Sequence, residues 1–237
     1  MDETRALPAD PDTAAEAPAT VVLRVWLPDR PGALGAVASR IGSVRGDVIA
    51  IDVLERGGGQ AVDELTVALP DASLTDLLVA EVGEVDGVAV EDVHPVPFEA
   101  VDRQVAALRA AAAVAVAADP ASVQDALCQE AAVLFGADWV AVLDVAGGEV
   151  VASVGCPVPP AAWLTAFASG VLGGQATGTV DDLSFCRLDE PGLCAVLSRP
   201  RLPLRAVERE AFAELAALAA LRHAELAAHA GSAAGTR

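Results

Sequence analysis

The residues best suited to chemistry form one short run, Asp29-Arg30-Pro31-Gly32-Ala33-Leu34. An apolar stretch, Val21 to Leu27, leads into it, and Leu34, Val37, Ile41 and Val44 leave it at helical spacing. The run therefore reads as a strand-to-helix turn. Asp29 is expected to cap the orphan amides of the first helical turn. Pro31 suits a helix opening, where its missing N–H costs nothing, and Gly32 lets backbone or ligand approach closely. Free amides at the positive end of a helix dipole favour a carboxylate, so the expected chemistry is binding of a small anion.

No other set of residues suggests catalysis. His94, His223 and His229 are scattered, and no Ser-His-Asp order, H-E-x-x-H or G-x-S-x-G occurs. Cys128, Cys156, Cys186 and Cys194 include no C-x-x-C, which argues against a zinc site. A hairpin centred near Glu190 would place Cys186 opposite Cys194. Such a pair could be a disulfide, but two small buried apolar residues are the favoured expectation. Cys156, among Gly- and Pro-rich turns, is the expected exposed thiol. Arg199, Arg201 and Arg205 form the densest basic cluster and could hold an anion; a solvated connection offsetting nearby acids is the favoured reading. The expectation is a protein that is not an enzyme, with no cofactor and no metal.

These residues need elements to position them. Val21 to Leu27 alternates like a half-buried strand. A helix from Pro31 ends near Gly42 to Gly46, Val48 to Leu54 is strand-like, and Gly57-Gly58-Gly59 supplies a hairpin turn rather than a phosphate loop, because a strand pattern follows it. Asp63, Leu65, Val67 and Leu69 share one face of the return strand. Ser73 and Asp76 suggest a capping box for a short helix, and Val88 to Val93 is a last strand. The economical arrangement is a four-stranded antiparallel sheet with both helices on one face. Trp26, Val48 and Ala50 are candidates for its other face, an apolar surface that would mark an interface.

After Pro95-Val96-Pro97 the pattern starts afresh. Ala100 to Ala118 is helical by propensity, and Asp119-Pro120 stops it. Ser122 with Asp125 suggests the cap of a second helix. Trp139 to Leu143 and Val150 to Val154 are strands. A helix holds Trp163, Leu164 and Phe167, Gly170 to Gly178 is a loop, and Leu183 to Leu188 and Leu193 to Ser198 are strands. A long helix runs from Ala206 to about Ala228. The expected organisation is a disordered leader (1–20), a first domain (21–95), a linker (96–99), a second domain (100–228) and a tail (229–237).

Two resemblances sharpen this. The stretch from Arg24 to Val48, with Asp29-Arg30-Pro31-Gly32-Ala33-Leu34 inside it, resembles the opening of an ACT domain, and the order of elements through Val93 is similar to that family's ferredoxin-like βαββαβ plan. The resemblance implies an amino-acid-sensing module whose ligand sits between the first loop and the end of the first helix, often at a subunit interface. Here those positions are Asp29, Arg30, Pro31, Gly32, Ala33 and Leu34, with Asp47 and Val48. The family often has Asn where this chain has Asp47. An ionised Asp repels a carboxylate but can pair with an α-ammonium. Asp47→Asn is expected to improve affinity. The order of elements in residues 100–228, with Trp139-Val140-Ala141-Val142-Leu143 and Glu210-x-Phe212-x-x-Leu215-x-x-Leu218-Ala219, resembles a GAF domain, a small α/β sensor fold, though its mid-domain segment is short for a large cofactor pocket. The fold class expected is α+β, and the function that of a regulatory or sensor protein. The alternative is a structural adaptor or regulatory subunit that docks a partner protein, such as an enzyme or regulator, without a ligand.

Composition bounds the rest. The 237 residues carry a formal charge of −19, and every basic residue is Arg. Without a basic face there is nothing to displace counterions from nucleic acid, and anionic membrane surfaces are disfavoured too. The first 20 residues are polar and rich in Pro and Ala, unlike a signal peptide. A cytoplasmic homodimer is expected.

Overall fold

The computed structural model describes residues 19–96, 102–172, 177–180, 182–188, 192–200 and 202–234. Most of the expected leader and linker, part of the 170–178 loop, the Glu190-Pro191 turn, Arg201 and residues 235–237 lie outside them. The chain divides into two compact units, residues 1–101 and 102–237, and the whole is α+β with two antiparallel sheets.

The N-terminal unit runs β1 (Ala19–Pro28), α1 (Ala33–Ser43), β2 (Asp47–Gly57), β3 (Gln60–Leu69), α2 (Thr75–Gly83) and β4 (Ala89–Pro95), with sheet order β2-β3-β1-β4 and all pairs antiparallel. Alternation decides the faces. Val21, Leu23, Val25 and Leu27 of β1 pack with Ala61, Leu65, Val67 and Leu69 of β3 beneath Val37 and Ile41 of α1 and Leu78 and Val82 of α2. Both helices therefore cover one face.

The other face differs from expectation. Val48 is not part of it: it pairs with Val67 and packs into the helix-covered core. Nor is the face simply apolar. Arg24 donates to Glu64 through Nε (3.0 Å) and Nη2 (2.6 Å), and Trp26 Nε1 donates to Glu91 (3.1 Å). A register shift between Arg24 and Val25 leaves Glu91 as the extra residue of a bulge in β4.

The C-terminal unit runs α3 (Arg103–Ala115), α4 (Pro120–Phe135), β5 (Trp139–Asp144), β6 (Glu149–Gly155), α5 (Ala161–Leu172), β7 (Thr177–Val180), β8 (Leu183–Arg187), β9 (Leu193–Ser198) and α6 (Ala206–Ala234), with sheet order β6-β5-β9-β8-β7. Along β5, Val140 and Val142 pack toward α3, α4 and α6, whereas Trp139, Ala141 and Leu143 pack toward α5. Both faces of this sheet are thus covered. Residues 229–234, expected as tail, continue α6, and β7 occupies the end of the Gly-rich stretch expected as loop.

The helix starts correct the expected caps. α4 is capped by Asp119, whose carboxylate accepts from Ser122 N (3.0 Å) and Ser122 Oγ (2.6 Å), with Pro120 in the first turn. Those two hydrogen bonds hold the Asp119 carboxyl below its usual range. Asp71, not Ser73, accepts from Ser73 N (2.6 Å) and caps the 3-10 turn at 72–74 that precedes α2.

Candidate functional site

The β1–α1 loop is exposed from Asp29 to Gly32. Its backbone is tied down locally. Asp29 N donates to Gly59 O of the β2–β3 hairpin (3.0 Å), Arg30 N to Pro28 O (2.8 Å), and Ala33 N to Arg30 O (3.3 Å). Asp29 caps nothing. The N-cap is Gly32, at φ +89°, and no side chain caps the helix. The first bond of the helical ladder is Ala36 N to Gly32 O (3.0 Å). The amides of Leu34 and Gly35 consequently have no acceptor among the described residues, and the first turn carries no acidic side chain. Pro31 precedes the helix instead of opening it.

The left-handed φ of Gly32 has a practical consequence. A β-carbon there is strained even though nothing lies within 4 Å, so a substitution at Gly32 perturbs the backbone as well as any ligand. Gly35 is the better probe: it is exposed, helical and open, with nothing within 4 Å of an added β-carbon.

Asp47 and Val48 lie elsewhere. Asp47 is opposite Ala68, which pairs with Thr20, whereas the loop begins after Pro28, which pairs with Gln60. Thr20 and Pro28 are eight residues apart on one strand, or roughly 26 Å. Within one copy no amino acid can touch both ends. Gly46, just before β2, is tightly packed: an added β-carbon would meet Ile41 Cγ2 at 2.9 Å and Val67 Cγ1 at 3.1 Å.

Asp63, which the sequence marks only as part of a strand face, interacts electrostatically with Asp29 of the loop and with Arg56. Asp63 lies between Ala61 and Leu65 on the helix-covered face of β3, cross-strand from Val25 and Val53, and is 3% exposed. Its Oδ1 is buried with no hydrogen-bond partner among the described residues. Burial raises its carboxyl above the usual range, Arg56 lowers it and Asp29 raises it further. Arg56 reaches Asp29 only at 4.0 Å and is largely exposed. A carboxyl whose folded pKa is raised stabilises the fold fully below its unfolded pKa and loses that contribution as pH rises through the folded value. We therefore expect Asp63→Asn to melt progressively higher than wild type as pH rises from 4 to 7 and to show little difference at the acid end; paired urea titrations across that range measure it.

The C-terminal unit holds no comparable site among its described residues. Arg199 is structural, not a solvated connection: it is 8% exposed and bound to Glu208. Cys186 pairs with Ala195 and Arg187 with Cys194. That register is one residue off the expected one, so the two thiols lie on opposite faces of the sheet, Cys186 toward α4 and α6 and Cys194 toward α5. Both are free, and Cys156 is exposed. Burial pushes Cys128 and Cys194 up to about 12 and Cys186 well above its usual value, so none of these three is a thiolate nucleophile at neutral pH. A cavity of about 10 Å³ beside Gln124 and His223 has room for a single water. The α5 side of the sheet is filled by Trp139, Leu164, Phe185 and Val196. No group of three His, Cys, Asp or Glu among the described residues could hold a metal, and no described helix is long and apolar enough to cross a membrane.

No protein-family model matches the chain, and no curated protein matches it. Among solved structures, the ACT domain from GTP pyrophosphokinase of Chlorobium tepidum is similar at 15% identity and TM-score 0.28, over 34% of this chain and 100% of that one. An uncharacterised protein from Thermotoga maritima is similar at 18% identity and TM-score 0.28, over 34% and 99%. The chromophore-binding domain of an unusual bacteriophytochrome from R. palustris is similar at 11% identity and TM-score 0.45, over 92% and 97%. All three likenesses are weak in both identity and TM-score.

Proposed function

We propose that the protein is a non-catalytic regulatory sensor whose N-terminal unit binds a small carboxylate, an amino acid, on the β1–α1 loop. The observation that carries this is the pair of acceptor-free amides, Leu34 and Gly35, at an uncapped helix start behind an exposed loop. Two converging N–H groups and the helix dipole are the elements of a carboxylate site. Asp47, at the far end of the sheet, can take part only from a second copy. A homodimer in which the end of α1 in one copy meets the loop of the other would let Asp47 face the ligand.

Gly35→Glu tests the site without damaging the fold. It removes a helical glycine, which gains about 0.5–1 kcal/mol, and places a negative charge where the dipole favours one. That charge also occupies the free amides and repels a ligand carboxylate. Calorimetric titration against the twenty amino acids should show binding to wild type, none to Gly35→Glu, and a higher melting temperature for the variant. Light scattering should give a dimer mass, and Asp47→Asn should strengthen binding in that dimer. If wild type binds none of the twenty, the amino-acid reading fails and the adaptor reading replaces it: a protein that docks an enzyme or regulator without a ligand.

A further inference from the structure

Leu108, Val116 and Leu221 are the most exposed large apolar side chains of α3 and α6, at 70%, 78% and 69%. The two helices lie side by side. Arg103, in the first turn of α3, donates to Glu208, in the first turn of α6, and Arg222 donates to the Ala117 carbonyl just past the end of α3. In both contacts the α6 residue is numbered 105 away from its α3 partner, so the helices run parallel and level. The buried positions keep that offset, since Ala110 and Val114 of α3 share a core with Leu215 and Ala219 of α6. On the outer side α3 exposes Val105, Leu108, Ala112 and Ala115, and α6 exposes Val207, Glu210, Glu214, Ala217 and Leu221. Both rows advance in alternating steps of three and four residues, the spacing of a seam between packed helices. Two level seams with apolar residues facing water mark an interface.

The charges select what covers this face. α3 carries no acid; its charged residues are Arg103 and Arg109. Arg103 is bound to Glu208, whereas Arg109 is exposed. The charged residues of the α6 seam are both acids, Glu210 and Glu214. Arg109, Glu210 and Glu214 make no ion pair among the described residues, although the helix offset sets Arg109 level with Glu214. Stacking each helix on its own copy would set like charges along one seam, which disfavours that arrangement. Stacking α3 on α6 sets Arg109 against Glu210 and Glu214. A two-fold axis running along the helices makes that exchange in both directions at once and closes the assembly at two copies. We infer that the outer face of α3 and α6 is an interface with a second copy of this chain, a parallel four-helix bundle in which α3 of each copy seats on α6 of the other. The apolar rows supply the buried area, and Arg109 against the two glutamates fixes which helix meets which. The inference does not rest on the amino-acid reading.

The first test is thiol cross-linking of the full chain in a Cys156→Ser background, since Cys156 is exposed and the other three cysteines are buried. Arg109→Cys and Glu214→Cys chains are co-expressed and treated with a short bismaleimide. The pair should give a cross-linked dimer, because the two positions meet across the interface. Neither variant alone should, because neither position meets itself. The second test is charge reversal read by light scattering. Arg109→Glu and Glu214→Arg should each raise the dimer dissociation constant about tenfold, since each turns two attractive pairs into repulsive ones. Mixing the two variants should recover wild-type association, because each chain then carries the charge the other lacks; an ion pair within one copy would not recover on mixing. Both positions are exposed, so circular dichroism should be unchanged. A wild-type chain that is monomeric at micromolar concentration overturns the interface and leaves amino-acid binding to be decided by titration. A dimer in which the co-expressed pair does not cross-link, or in which Arg109→Cys alone cross-links as well, places the contact elsewhere and overturns it equally.

Discussion

Glu208→Ala should lower the stability of the C-terminal unit by about 3–5 kcal/mol, enough to shift its melting temperature by 10 °C or more. Glu208 lies in the first turn of α6 and its side chain is fully buried. Its two oxygens receive four donors: Arg199 Nη1 at 2.9 Å, Arg199 Nη2 at 2.9 Å, Arg103 Nη2 at 2.8 Å and the Arg205 amide at 2.8 Å. The last of these is the reciprocal half of a capping box, supplied by the third helical residue to the N-cap amide. Arg199 in turn donates to Phe135 O at the end of α4 (2.9 Å), to Pro203 O (3.2 Å) and to Leu202 O. Truncating Glu208 leaves the Arg199 guanidinium buried without its counter-charge, and the cost is that uncompensated charge rather than the worth of one ion pair. Arg199→Met with Glu208→Leu should therefore lose far less than the two single changes combined. Chemical denaturation of all four proteins measures the coupling. A Glu208→Ala protein as stable as wild type would show that the cluster is not what joins α3, α4, β9 and α6.

Much of this fold is legible in the sequence because its strands alternate cleanly. Val21, Leu23, Val25 and Leu27 predict the buried face of β1, and Leu193 to Ser198 predicts β9 to the residue. Helix starts were harder. At α4 the side chain that caps is an Asp just ahead of a Pro, and at the 3-10 turn before α2 it is Asp71. The Ser-x-x-Asp pattern begins two residues after Asp71 and three after Asp119, inside the helical turn and not at its cap. Pro at the first helical position was the signal that would have placed Asp119 correctly. At α1 no side chain caps, so no side-chain rule could locate the start.

The candidate site was legible only in part. The loop from Asp29 to Leu34 can be found from residue types alone. That Asp47 lies at the opposite end of the sheet follows from the antiparallel register, which a linear motif does not express. Asp63 was placed on the correct face, yet its isolation depends on how few donors surround it, and no spacing rule reports that. The burial of Arg199 is hidden from the sequence for a similar reason. A Pro- and Arg-rich connection looks solvated until α6 folds back and brings Glu208 against it. The sequence leaves the pairing of β8 with β9 open by one residue, and one residue is enough to send Cys186 and Cys194 to opposite faces.

Glycines show most sharply where sequence and structure part. Gly148 and Gly155 both follow apolar stretches and both have positive φ, +72° and +87°. An added β-carbon at Gly148 meets nothing within 4 Å, whereas at Gly155 it would overlap Asp138 O and lie 2.7 Å from Trp139 Cα. Gly155 ends β6 directly opposite Trp139. Asp138 cannot withdraw cheaply, because its amide donates to Ser198 O (2.9 Å) and its carbonyl accepts from Cys156 N (3.2 Å). It is held between β9 and the end of β6. Gly148→Ala should thus cost only the left-handed backbone penalty, about 1–2 kcal/mol. Gly155→Ala should add the displacement of a strand end that both neighbours hold, about 1–3 kcal/mol more. Urea midpoints of the two variants isolate that difference, since the conformational term is common to both. Equal losses would mean that β6 yields at its end, and that the close approach of Gly155 to Asp138 is not what fixes the edge of the sheet.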